Sequence, residues 1–130
     1  MADQFYTCLM FEGDAEDALE FYLSVFEDSS VITSQRFRQT EPMAGALKLA
    51  QLRLGEHRII LTNTPNEHDF TFTPSASIFV SCRSGRELNA YAEKLAKGGR
   101  YIMPAATYAF SRRYAWVEDR FGVSWQLNLP

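Results

Sequence analysis

The feature that most constrains this chain is an order of elements that occurs twice. The first pass opens with QFYTCLMF (Gln4 to Phe11), rich in strand formers and short enough for one strand. Glu12 and Gly13 break it, and Asp14 stands where a helix N-cap belongs. Ala15, Ala18, Leu19, Tyr22, Val25 and Phe26 then recur at helical spacing on one face. Glu16 and Asp17 crowd the first turn, where the helix dipole favours negative charge. The helix is expected to end near Glu27-Asp28. Ser29 to Arg38 reads as a strand and Gln39 to Gly45 as a loop. LKLAQLRL (Leu47 to Leu54) and HRIILTN (His57 to Asn63) form a hairpin around Gly55-Glu56.

After a polar connector, Thr64 to Pro74, the grammar repeats. SASIFVSC (Ser75 to Cys82) is a strand. Ser84 with Glu87 makes a capping box, Leu88, Tyr91, Ala92 and Leu95 form the apolar stripe of a helix, and Gly98-Gly99 stops it. RYIMP is a short strand ended by Pro104. Ser111 to Asp119 and Val123 to Leu129 pair around the turn Asp119-Arg120-Phe121-Gly122, where Asp119 is expected to bond its own backbone. Each half, at roughly 60 residues, buries too little surface to be comfortable alone, so a duplication within one domain is the natural reading. The expected class is α+β: two βαβββ modules forming a cup-shaped pair of mixed β-sheets, with one helix on the outside of each. Module one spans 1–64, the connector 65–74 and module two 75–130 of a single domain, 1–130. The alternative is an ordinary two-layer α+β domain.

Bulk properties narrow the function classes. The chain has 130 residues and a net charge of -3, with no Lys or Arg run along one face, so no nucleic acid is expected as a partner. The N-terminus lacks a basic segment followed by an apolar core, and no apolar run approaches the ~18 residues that cross a bilayer. No membrane partner is expected, and the location expected by default is cytoplasmic. Cys8 and Cys82 lie inside predicted strands without CxxC spacing and read as two small thiols. Aromatics reach 14%, compatible with an aromatic-lined pocket or a merely aromatic core.

Three stretches carry a family resemblance. CLMFEGDAEDALEFYLSVF near the start resembles the opening of the PhnB-like branch of the vicinal-oxygen-chelate superfamily, which also holds the glyoxalase and bleomycin-resistance proteins. FTPSASIFVSC resembles the strand that opens its second module, and VEDRFGVSWQLNLP its closing hairpin. The resemblance spans essentially the whole chain. Such proteins are often described as similar to demethylubiquinone methyltransferase. A methyl donor of the S-adenosylmethionine kind usually needs a Gly-rich turn between a parallel strand and a helix, and the glycines here sit at hairpins and helix ends.

The metal-dependent relatives hold a divalent ion with four side chains, and the resemblance places those positions at Tyr6, Ile60, Ser77 and Gln126, give or take one residue. Ile60 cannot ligate, Ser77 is a poor neutral ligand, Tyr6 would have to lose a proton near pH ~10, and Gln126 offers only a carbonyl oxygen. The two histidines, His57 and His68, fall at a hairpin turn and in the connector. No metal and no cofactor are therefore expected.

Strand alternation assigns the faces. It turns Tyr6, Cys8 and Met10 into the cup, with Leu9 and Phe11 toward the first helix. Likewise Ser77 and Phe79 face inward, Ile78 and Val80 outward, and Gln126 inward with Ser124 and Asn128, while Trp125 and Leu127 pack under a helix. Tyr114 and Trp116 line the cup, with Arg112 at its rim. The expected ligand-binding set is thus Tyr6, Cys8, Met10, Ser77, Phe79, Tyr114, Trp116 and Gln126, suited to a small, largely flat organic ligand. Arg53, Arg112 and Arg113 are candidates for an anionic group or plain solvated charges. No Ser-His-Asp or Cys-His arrangement appears, so no catalytic residue is named. Three functions stay open: a metal-independent binding protein, a metal-independent enzyme (isomerase, lyase or transferase) on a carbonyl or aromatic small molecule, and a structural or regulatory homodimer. The resemblance implies a homodimer in all three.

Overall fold

A computed structural model describes residues 1–130. The chain divides into two compact units, Met1–His68 and Asp69–Pro130. In the first, β1 (Thr7–Phe11) leads to α1 (Ala15–Val25), then β2 (Ser29–Arg36), β3 (Leu47–Leu54) and β4 (His57–Asn63). In the second, β5 (Ser77–Ser81) leads to α2 (Gly85–Ala96), then β6 (Arg100–Tyr108), β7 (Ser111–Glu118) and β8 (Ser124–Leu129). The sheet orders are β1-β4-β3-β2 and β5-β8-β7-β6, so the two modules share one topology. In each, the last strand lies between the first and third, parallel to the first and antiparallel to the third. The expected pair of βαβββ modules with mixed sheets is the observed architecture.

Each module is a sheet with one helix on one face. Helix α1 packs across β4, β3 and β2, and α2 across β7, β8 and β6. The apolar stripe read from spacing is the buried one: Ala15, Ala18, Tyr22 and Val25 are almost wholly covered. Beneath the helices lie Ile59, Leu61, Leu52 and Ala50 in the first module and Trp125, Leu127, Val117 and Ala115 in the second, all fully buried. Truncating one of these leucines to alanine typically costs about 2–5 kcal/mol, because the site collapses only partly.

The helix starts are built differently. In α2, Ser84 Oγ accepts the Glu87 N–H at 3.1 Å, as the capping box requires, while Glu87 Oε1 takes the N–H of Arg83 rather than that of Ser84. In α1, Asp14 occupies the N-cap position but its side chain caps nothing. The cap comes from Asn63, at the far end of β4. Its Oδ1 accepts the N–H groups of Gly13 (3.0 Å) and Ala15 (3.1 Å), and its Nδ2 donates to the Leu47 carbonyl at 2.8 Å. A buried amide fixed from both ends outcompetes an exposed aspartate that would have to order itself.

The expectation that Pro104 ends a short strand is corrected. Strand β6 runs for nine residues through it. Proline cannot donate to a ladder, but β6 is an edge strand, and its pairing with β7 is irregular between Met103 and Ala106. The missing N–H therefore costs no sheet hydrogen bond. The turn after β7 follows expectation: Asp119 Oδ1 accepts the N–H groups of Phe121 (2.9 Å) and Val123 (3.0 Å). Its Oδ2 also accepts the indole N–H of Trp125 at 2.9 Å, fastening the turn to the core.

Asn63→Ala is expected to lower unfolding free energy by about 2 kcal/mol, since it removes a cap and strands a buried carbonyl, whereas Asp14→Ala changes it by less than ~0.5 kcal/mol. Urea denaturation of both variants measures this, and equal losses would show that Asp14 is the working cap.

Burial, with a smaller contribution from the negative charge of Glu87, pushes the Cys82 thiol up from an ordinary 9.0 to about 11. The folded state thus favours the protonated form. Its contribution to stability is full below the unfolded value and is lost as pH rises from 9.0 toward about 11. Near neutral pH, a disulfide reagent is expected to label the exposed Cys8 at once and Cys82 only on unfolding.

Candidate functional site

The face of each sheet turned away from its helix is where alternation places the side chains not consumed by the core. On the first sheet Cys8 sits beside Ile60, and Met10 beside Thr62. Cys8 is exposed and Met10 half-buried. Tyr6 lies one residue before β1, half-buried, its hydroxyl donating to Gln4 Oε1. On the second sheet the predicted residues gather more tightly. Phe79 and Trp116 flank Gln126 from the two neighbouring strands, and Ser77 stands opposite Ser124.

The polar groups of this second face bond to one another. Ser77 Oγ lies 2.6 Å from Ser124 Oγ, and the Trp116 indole N–H donates to Ser124 Oγ at 2.8 Å. Both serine hydroxyls also reach the Pro74 carbonyl, at 3.3 and 3.4 Å. An indole can only donate, so Ser124 accepts from it. One serine proton then goes to the other serine and the second to Pro74, which closes the chain. Tyr114 OH donates to Gln126 Oε1 at 2.6 Å. Burial, and secondarily the neighbouring Tyr108, raises the Tyr114 phenol above its ordinary 10.0 and holds its proton in that bond.

Gln126 Nε2 is left without a partner in the chain. No buried side-chain nitrogen or oxygen lacks one, so this amide is within reach of solvent or a ligand. Next to it, Phe79 is 58% exposed, an unusual state for a phenylalanine inside a strand.

The expected ligand set leaves out three residues, the first of which alternation already turns inward. Ser124, two positions before Gln126, is the centre of the serine chain, and the i, i+2 rule points to it. Phe110, on the β6–β7 hairpin, stacks on Tyr108 (5.5 Å) and meets Tyr114 edge-on (5.0 Å). No spacing rule finds it, because it belongs to a turn. An open groove of about 410 Å³ beside it is walled by Phe110, Ser111, Arg112 and Pro130, and none of the eight expected ligand residues lines it. Arg112 Nε donates to the Pro130 carbonyl there, and Arg113 lies on the other face, bonded to Asn89. The third is Arg58, two residues before Ile60 on the same face as Cys8.

The family described as 3-demethylubiquinone-9 3-methyltransferase matches residues 3–128. The chain belongs to this family. The PhnB protein of Bacillus cereus is 36% identical, with a TM-score of 0.93 over 98% of this chain and 100% of its own. Protein PA1353 of Pseudomonas aeruginosa shares the fold at 22% identity, with a TM-score of 0.85 over 98% of both chains. A glyoxylase/bleomycin resistance protein/dioxygenase domain of Frankia sp. EAN1pec does so at 18% identity, with a TM-score of 0.71 over 99% of this chain and 98% of that one. No curated protein matches the sequence.

The resemblance to the vicinal-oxygen-chelate superfamily implies a divalent ion, and the donors at the corresponding positions of this PhnB-like chain do not fit one. Ile60 carries no donor atom. Ser77 is bonded within the serine chain, and Gln126 Oε1 is occupied by Tyr114. No three His, Cys, Asp or Glu side chains converge anywhere in the molecule. His57 shares a hydrogen bond with Thr7 Oγ1 at 3.1 Å, and His68 is exposed. Neutral hydroxyls and amides already paired to one another hold Zn²⁺, Mn²⁺ or Ni²⁺ poorly. Adding salts of these metals is expected to leave the melting midpoint unchanged, since an ion that binds only the native state would raise it. Stoichiometric metal surviving dialysis would overturn the argument.

Proposed function

We propose that this PhnB-like protein binds a small, flat organic molecule bearing a carbonyl oxygen, without a metal, on the helix-free face of its second sheet. The observation that carries the reading is the hydrogen bonding around Gln126 on that face. Ser77, Ser124, Trp116 and Tyr114 spend their donors on one another, on Pro74 and on Gln126. The Gln126 amide N–H groups remain, as does the side-chain amide of Asn128 two residues on, and an N–H donor asks for an acceptor such as a carbonyl. Phe79 and Trp116 on either side of Gln126 supply aromatic surface for a flat partner. Membership in a cytoplasmic homodimer is part of the same proposal.

Methyl transfer, named in the family's description, forms no part of it. The two junctions from a parallel strand into a helix read Glu12-Gly13-Asp14 and Cys82-Arg83-Ser84, and neither makes the Gly-rich turn such a donor usually needs.

Acetophenone and ethylbenzene, matched in shape and differing in the carbonyl, separate the hydrogen bond from simple apolar burial. In an NMR titration the native protein is expected to favour acetophenone by up to about tenfold, with shifts centred on β7 and β8. Gln126→Ala is expected to erase the preference while keeping the weaker common affinity. Equal binding of both probes to the native protein would sink the proposal.

A further inference from the structure

The helix-free face of the first sheet carries a charge arrangement that the carbonyl reading does not use. Arg53 and Arg58 stand directly opposite in the antiparallel register of β3 and β4. Side chains so placed have Cβ atoms about 4.5–5.5 Å apart, and like charges there repel. Arg53 is compensated: its Nη1 donates to Asp28 Oδ1 (2.9 Å) and the Gly55 carbonyl (2.7 Å), and its Nε to Ser30 Oγ (3.3 Å). Arg58 has no hydrogen bond or ion pair anywhere in the chain. It is half-buried, unlike Arg86, which lies free on an exposed helix turn. Glu56, in the hairpin turn two residues away, is exposed and forms no bridge to it. Along the rest of this face Cys8, Met10, Ile60, Thr62, Gln51 and Leu49 add no carboxylate.

We infer that Arg58 forms an oxyanion-binding position, with Arg53 reinforcing the field, for the carboxylate or phosphoryl group of a small organic anion. A guanidinium presents paired N–H donors in a plane that matches two oxygens of such a group. The three bonds that fix Arg53 hold one positive charge in place beside it, and an incoming anion relieves the repulsion between the two cations. Neither arginine belongs to the set proposed for the second sheet.

The test is titration with sodium acetate and, separately, inorganic phosphate at constant ionic strength, followed by backbone NMR shifts. Saturable shifts are expected in the β3–β4 hairpin around Arg53 and Arg58. Arg58→Gln is expected to weaken binding about tenfold, and Arg58→Lys to weaken it less, since the charge survives and the fork does not. Arg58→Gln is also expected to melt at or above the native temperature without anion, because it removes a repulsion; a residue with a purely structural role would lower it. Gln126→Ala is expected to leave anion binding intact, so the two readings fail separately. The inference is overturned if neither anion gives saturable shifts, or if Arg58→Gln binds them as the native chain does.

Discussion

Everything in each module hangs on the strand inserted between the first and third, β4 in one and β8 in the other. Because β4 is parallel to β1 and antiparallel to β3, its alternation fixes the facing of both neighbours. Ile59 and Leu61 go under the helix, and Arg58, Ile60 and Thr62 go to the other side. The same holds for β8: Trp125 and Leu127 are fully buried, while Ser124, Gln126 and Asn128 take the opposite face. A slip of one residue would put an indole into water and an amide under a helix. The position of Gln126 is therefore as firm as the burial of Trp125.

That coupling explains why alternation is so informative here. A strand with one buried face writes its register into the sequence, and Leu9, Phe11, Ile59, Leu61, Trp125 and Leu127 are legible because each contributes core surface. The helices are legible for the same reason, through stripes such as Ala15, Ala18, Leu19 and Tyr22. The opposite face is readable by subtraction, which is how Ser77, Phe79, Trp116 and Gln126 emerge together.

What stays hidden depends on partners distant in sequence. Asn63 caps a helix that begins 48 residues earlier, and only the folded sheet brings the two ends together. Asp14 has the right local grammar and loses to that long-range bond. Pro104 carries the usual signal for stopping a strand, yet the signal applies to a strand paired on both sides, and β6 has one neighbour. Which strand lies at an edge is a property of topology. Phe110 packs with Tyr108 and Tyr114 through the geometry of a turn, which periodicity does not describe.

The charge and hydrogen-bond inventories of the two faces lead to different chemistry from one topology. On the second sheet most donors are spent on one another, which leaves the neutral amides of Gln126 and Asn128 beside aromatic surface. Mutual saturation also keeps serine and glutamine oxygens from gathering around a cation: each is already oriented by a neighbour, and turning toward a metal would break that bond and leave a buried donor unsatisfied. On the first sheet the imbalance is the reverse, two cations and one exposed carboxylate at Asp28, whose side chain is 78% accessible and weakly held by the solvent-screened pair. A strand pair that tolerates facing arginines, only one of them with a counter-charge, gives up stability, and departures from local rules of this kind gather at functional sites. The shared fold fixes which positions face away from the helices; the residues at those positions decide what each face can hold.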